Sequence, residues 1–203
     1  MQERRSNRER TETTRTALME AAGRLFIERG YAETATPDIV AAAGVTRGAL
    51  YHHFSDKRAL FRAVVEQEAA AVAAEIERAT PDVHSAAEGL IVGGDAYFDA
   101  MQEAGRTRLL LLDGPAVLGR LEMDAIDDRH GNRTLREGLA VAMESHEMRR
   151  LPIGALTALL GAAFDRAALA IEAGADRESF RTAMHALIEG LLEAGSPADN
   201  RNG

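Results

Sequence analysis

Apolar residues along this chain recur at intervals of three and four, and nowhere alternate long enough to predict a strand. Leu18, Ala22, Leu25 and Phe26 form one stripe, which predicts a helix from about Thr13 to Arg29 closed by Gly30. Thr36-Pro37-Asp38 then offers an N-cap, a proline at the first helical position and an acid at the positive end of the helix dipole. Ile39, Val40 and Ala43 give this second helix a buried side, and Gly44 falls where a left-handed glycine ends a helix. Thr46 is placed to cap a third helix, with Val45 and Leu50 at the spacing of a hydrophobic staple. Leu50 and Phe54 share one face of it, leaving Arg47, Gly48, Tyr51, His52 and His53 largely on the other. The pattern is a helix-turn-helix.

The helical period continues downstream. A fourth helix starts at Ser55 and runs through Leu60, Val64, Ala71 and Ala74 to about Arg78, where Thr80-Pro81-Asp82 breaks it. A fifth spans roughly Val83 to Gln102 and carries Gly93-Gly94 in its interior. Glycine there costs about 1 kcal/mol each, so the pair predicts a kink or a tight helix contact ahead of a wall that admits a ligand. Shorter segments follow at Arg106–Leu112, Val117–Asp128 and Arg133–Glu144. The last two helices, from Pro152 to about Ala173 and from an Asp176 cap to Glu193, have apolar stripes wider than a surface helix needs. Burial on two sides is expected, one of them against a second subunit. The candidate interface residues are Leu156, Leu160, Ala163, Ala167, Phe180, Met184, Leu187 and Leu191.

An amphipathic helical hairpin is common in any all-helical protein. Here the outward face of the third helix is short, cationic and aromatic, and Gly48 allows close backbone approach. Lys57 lies near a helix N-terminus, where an acid would be favoured, which suggests an external anion. Upstream, Arg4, Arg5, Arg8 and Arg10 form a basic arm with no apolar period, either a solvated tail or an arm that follows a nucleic-acid backbone or enters the minor groove.

Residues 13–65 resemble the DNA-binding domain of the TetR family of bacterial transcriptional regulators. The resemblance is carried by Ala21-Ala22, Leu25-Phe26, Gly30-Tyr31, Thr36, Ile39 to Val45, and Leu50-Tyr51-x-His53-Phe54-x-x-Lys57. Gly23 is one departure, where a better helix former is usual. The resemblance implies an all-α fold of about nine or ten helices. It places Arg47, Gly48, Tyr51 and His52 in the major groove, and Thr36, Thr46, His53 and Lys57 mostly on phosphates. It implies a homodimer whose last two helices form a four-helix bundle, binding an inverted-repeat operator in double-stranded DNA. The organisation expected is a flexible basic arm (1–12), a helix-turn-helix domain (13–60), a helical ligand-binding and dimerisation domain (61–195) and a disordered tail (196–203).

Charge agrees with this division. Residues 1–60 hold ten basic and eight acidic side chains, and 61–203 hold fourteen and twenty-four, so a net of +2 precedes a net of −10. The absence of cysteine excludes disulfides, thiolate metal sites and cysteine nucleophiles within these 203 residues. No apolar run approaches the roughly 18 residues that span a bilayer, and Met1–Arg15 is too polar for a signal peptide, so a cytoplasmic protein is expected. No cofactor or metal is expected, since the acidic run Glu122, Asp124, Asp127 and Asp128 reads as a solvated helix face.

A ligand-releasable repressor is the leading function. A small, mainly hydrophobic inducer would be lined by Tyr97, Phe98, Met101, Leu109, Asp113, Met143, His146 and Phe164, the bulky or polar residues between the DNA unit and the presumed interface. A DNA-binding regulator without a small-molecule ligand, controlled by a protein partner or merely architectural, is the alternative. An enzyme is remote: His84, His130, His146 and His185, with Asp113, are scattered and share no catalytic spacing.

Overall fold

The computed structural model describes residues 2–81 and 83–193, with the side chains of 2–10 and 193 outside the description. The expected tail at 196–203 and the arginines of the basic arm lie outside it too. Among the described residues the fold is all-α. The elements are α1 (Gln2–Glu33), α2 (Thr36–Ala42), α3 (Arg47–His53), α4 (Lys57–Ala79), α5 (Ala86–Ala100), α6 (Arg106–Arg108), a π-helical turn (Leu109–Asp113), α7 (Gly114–Leu118), α8 (Arg120–Arg129), α9 (Gly131–Glu144), α10 (Ile153–Glu172) and α11 (Arg177–Glu193). Helix α1 begins at Gln2, so the stretch expected as a flexible arm is helical, and its run is interrupted at Gly30 (φ 81). Helix α10 is long and apolar enough, by length and composition, to cross a membrane, although it contains no uninterrupted apolar run of that length. Asp165 and Arg166 interrupt its apolar surface.

Contacts divide the chain into two units, one of residues 1–68 and 104–123, the other of 69–103 and 124–203. The segment 104–123 thus packs with the helix-turn-helix, a placement that the sequence boundary at residue 60 does not provide. In the first unit Leu18, Ala22, Leu25 and Phe26 of α1 are buried with Ile39, Leu50, Phe54, Leu60 and Phe61. The Phe26 and Phe61 rings meet edge-on at 5.0 Å. Segment 104–123 closes on this core through a left-handed Gly105 (φ 76), where a Cβ would stand 2.5 Å from Ile27 Cγ2. It is also held by Arg58 of α4, which donates to the carbonyls of Val117 and Leu118 at 3.3 and 2.9 Å. Glu122 pairs with Arg58 and Arg62, each at 2.6 Å.

The second unit has a core of Leu90, Phe98, Leu139, Ala142, Met148, Leu160, Phe164, Ala167, Met184 and Ile188. One glycine of the α5 pair, Gly94, makes a tight helix contact there. At Gly94 a Cβ would lie 2.9 Å from Phe164 Cζ, whereas Gly93 has only ordinary neighbours. Along the seam between α5 and α11, Asp99 pairs with Arg177, and Asp95 Oδ1 lies 2.8 Å from His185 Nε2.

Candidate nucleic-acid interface

The turn between α2 and α3 forms because Gly44 accepts φ 65. Val45 N–H then reaches back to the Val40 carbonyl at 3.0 Å and Gly44 N–H to that of Ala41 at 3.2 Å, a Schellman closure. Thr46 accepts from Ala49 N–H at 3.1 Å and caps α3 as its spacing predicts. Thr36 does not cap α2. The helix starts one residue earlier than expected, and the Ala35 carbonyl accepts from Asp38 and Ile39 at 3.1 and 3.3 Å. The fourth helix starts at Lys57, two residues after the expected Ser55, and is capped by Asp56, whose Oδ1 accepts from Ala59 N–H at 2.7 Å.

Leu50 and Phe54 seat α3 on the core, both buried. Arg47, Gly48, Tyr51 and His52 are exposed together with Thr46, while Thr36, His53 and Lys57 are half-buried. The Arg47 guanidinium lies 5.5 Å over the Tyr51 ring, one helical turn away, so a planar donor fork and an aromatic edge stand on one exposed face. Beneath them the Arg15 guanidinium lies 4.6 Å from the Phe54 ring centre. Burial, then the neighbouring His52 and Arg15, lower the His53 pKa, which favours a neutral ring that offers an N–H rather than a charge. Lys57 has internal partners: its ammonium donates to the carbonyls of Tyr31 (2.8 Å) and Thr34 (3.0 Å) and lies 4.1 Å over the Tyr31 ring. The cation that the sequence leaves unexplained at a helix N-terminus thus has an explanation inside the fold.

The residues chosen as ligand lining separate. Tyr97, Phe98, Met143 and Phe164 meet in the second unit's core, with Tyr97 5.5 Å and Phe98 5.4 Å from Phe164 between ring centres. The Tyr97 hydroxyl donates to Asp165 at 2.8 Å, and burial, reinforced by that carboxylate, pushes its pKa well up. Met101 is buried in the same unit, and Leu109 and Asp113 belong to the other one, where Asp113 pairs with Arg108 at 3.4 Å. His146 is exposed and left-handed (φ 64) just beyond α9.

The residues expected at a subunit interface also divide. Leu160, Ala167 and Met184 are buried within the chain itself and so are not its outer face; Leu156, Ala163, Phe180 and Leu191 are half-buried against the same core. The exposed stripe consists of Ala155, Ala158, Leu159 and Ala162 on α10, and of Ala183, Ala186, Leu187 and Gly190 on α11. Leu159 is 71% and Leu187 55% exposed, and only Leu187 is among the residues expected from the sequence. The repeat of small residues at spacings of three and four is the signal that marks this stripe; ranking large side chains first passes over it.

A capped, two-helix reading head with an exposed cationic and aromatic face defines a helix-turn-helix DNA-binding protein. Residues 18–64 match the family model described as "Bacterial regulatory proteins, tetR family", and 87–195 match "Tetracyclin repressor-like, C-terminal domain". The chain belongs to the TetR family and is a DNA-binding transcriptional regulator. It is 30% identical over 195 residues to the HTH-type transcriptional regulator TtgR of Pseudomonas putida, covering 93% of this chain and 82% of that one. It is 42% identical over 62 residues to the HTH-type transcriptional regulator AcrR of Shigella flexneri, covering 30% of this chain and 29% of that one. Among solved structures, a TetR-family regulator from Pectobacterium atrosepticum superposes with TM-score 0.73 at 33% identity, covering 91% of this chain and 97% of that one.

Proposed function

We propose that this chain acts in the cytoplasm as a homodimeric repressor, not an enzyme, that binds an inverted-repeat operator and is released by a small, mainly hydrophobic ligand. The observation that carries the DNA half is the rigid presentation of Arg47, Gly48, Tyr51 and His52 on a helix capped at its start and anchored by two buried side chains. Arg47 suits a guanine edge, Gly48 lets the backbone approach a base methyl, and Thr36, Thr46 and His53 supply neutral donors for phosphates. The exposed small-residue stripe on α10 and α11 supports self-association, and two identical reading helices require a two-fold symmetric site. The aromatic cluster around Tyr97 and its Asp165 partner is the region proposed to take the ligand, with a polar handle in an apolar setting.

A second reading, a regulator without a small-molecule ligand, is favoured by the packing of Phe164 onto Gly94, which fills the same region with protein. Selection of bound sequences from random DNA tests the first half; recovery of sites without inverted symmetry would sink the dimeric reading. Titration of candidate ligands with and without operator tests the second. An inducer must bind more weakly to the operator complex by the same factor by which it weakens DNA binding, and equal affinities would discard that compound.

A further inference from the structure

The cation at the start of α4 joins three parts of the DNA-binding unit. Gly30 breaks the run of α1, and the chain beyond it is fixed by Thr34, whose fully buried hydroxyl lies 2.8 Å from the Gly30 carbonyl and 3.1 Å from that of Leu25. The Lys57 ammonium then takes the Tyr31 and Thr34 carbonyls of this stretch, at 2.8 and 3.0 Å, and covers the Tyr31 ring. That ring is wedged by Phe61, 4.9 Å away, which is buried in α4 one turn beyond Lys57. Lys57 follows the end of α3 by only four residues, and the intervening chain is held by the Asp56 cap. Lys57 thus ties the first turn of α4 to the exit of α1, close in the chain to the end of α3.

Residue choice agrees with this geometry. Lys57 is the sole lysine among 24 basic residues in a chain that otherwise uses arginine. A phosphate contact would accept arginine, with its bidentate fork, at least as well. A compact ammonium suits a gap between two carbonyls over a ring face.

We propose that Lys57 is a positioning residue for DNA binding: by clamping the exit of α1 to the first turn of α4, it orients α3 instead of neutralising a phosphate. This rests on the DNA-binding reading above. The test compares wild-type chain, Lys57→Met and Thr34→Val on the selected operator and on a random duplex across a salt series, at a temperature where thermal unfolding shows each variant folded. The expected result for Lys57→Met is an operator affinity lower by roughly five- to a hundred-fold, the range of one base contact, with random-duplex affinity and salt slope nearly unchanged. Thr34→Val, which keeps every charge, is expected to lower operator affinity in the same selective way. A Lys57→Met variant that weakens both duplexes alike, with a salt slope smaller by about 0.9 for each lost contact, would overturn the proposal in favour of a phosphate contact. Full operator affinity in a folded Lys57→Met overturns it as well. Should Lys57→Met fail to fold, Thr34→Val decides: a selective loss supports the clamp, and no loss overturns it. A wild-type chain that selects no sequence from random DNA fails the DNA-binding reading itself, before any variant is made.

Discussion

The Phe164 ring of α10 rests directly on the backbone of α5 at Gly94, so close that a Cβ there would stand 2.9 Å from Cζ and 3.1 Å from Cε1. The neighbouring Gly93 is in the same helix, yet a Cβ there would meet Ile76 at 3.6 Å, an ordinary contact. Two opposite effects follow. Gly93→Ala is expected to stabilise the chain by about 0.4–1 kcal/mol through helix propensity and a less flexible unfolded state. Gly94→Ala gains the same but must displace a ring packed against Tyr97 and Phe98, and overpacking of that kind costs about 1–3 kcal/mol. Thermal midpoints rising for the first and falling for the second would agree with the packing; equal shifts would contradict it.

Arg47 stands exposed over Tyr51 at the start of α3. Arg47→Ala is expected to lose about 1–3 kcal/mol on the selected operator and to relax preference at one base position, with folding stability unchanged. Repeating the selection with the variant checks this. An unaltered base preference would remove Arg47 from the groove.

Leu159 and Leu187 are outward, whereas Met184 is 4% exposed and faces the chain's own core. Leu159→Glu and Leu187→Glu are each expected to give folded monomers that bind operator poorly. Met184→Glu is expected to cost about 3 kcal/mol or more and to unfold much of the second unit, because it buries an unpaired charge. Size in solution together with circular dichroism separates these outcomes. Dimers that persist in both leucine variants would place the interface elsewhere.

Glu147 accepts from the N–H groups of Ala86 and Ala87 at 3.2 and 2.9 Å at the start of α5, and from the Ser145 hydroxyl at 2.9 Å. Those bonds, that of Ala87 first, hold its pKa below the ordinary carboxylate value. A group with a lowered folded-state pKa contributes stability that is fully present above its unfolded value, about 4.3, and is lost as pH falls through the folded one. Glu147→Gln should therefore be less stable than wild type at neutral pH, with the gap closing in acid below that range. A gap in thermal midpoint that stays constant through the acid limb would remove the ionised carboxylate as its cause.

Much of the reading head was legible because local chemistry dictates it. Gly44, Thr46, Leu50 and Phe54 do what their spacing predicts, since a turn and a cap are decided by residues within one or two helical turns. Asp176 likewise caps α11, accepting from Ser179 N–H at 3.0 Å. What the pattern did not carry was partnership at long range. Lys57 takes carbonyls 26 and 23 residues upstream, and Arg58 takes carbonyls about 60 residues downstream, distances at which periodicity says nothing. The two-sided stripes of α10 and α11 posed a different problem, because residue size alone cannot tell which apolar side faces inward. Leu160 and Leu159 are adjacent and chemically alike, yet one is 7% and the other 71% exposed.

The closing of segment 104–123 onto α1 and α4 has a consequence for how the molecule is made and engineered. During synthesis the helix-turn-helix leaves the ribosome long before Gly105 can cover Ile27 or Glu122 can reach Arg58 and Arg62. The DNA-reading unit therefore reaches its final form only after some 120 residues have been translated. A chimera that exchanges sensor domains at residue 60 would sever those contacts and expose Ile27. One that carries residues 104–123 along with the reading head, as a second graft, keeps the unit whole.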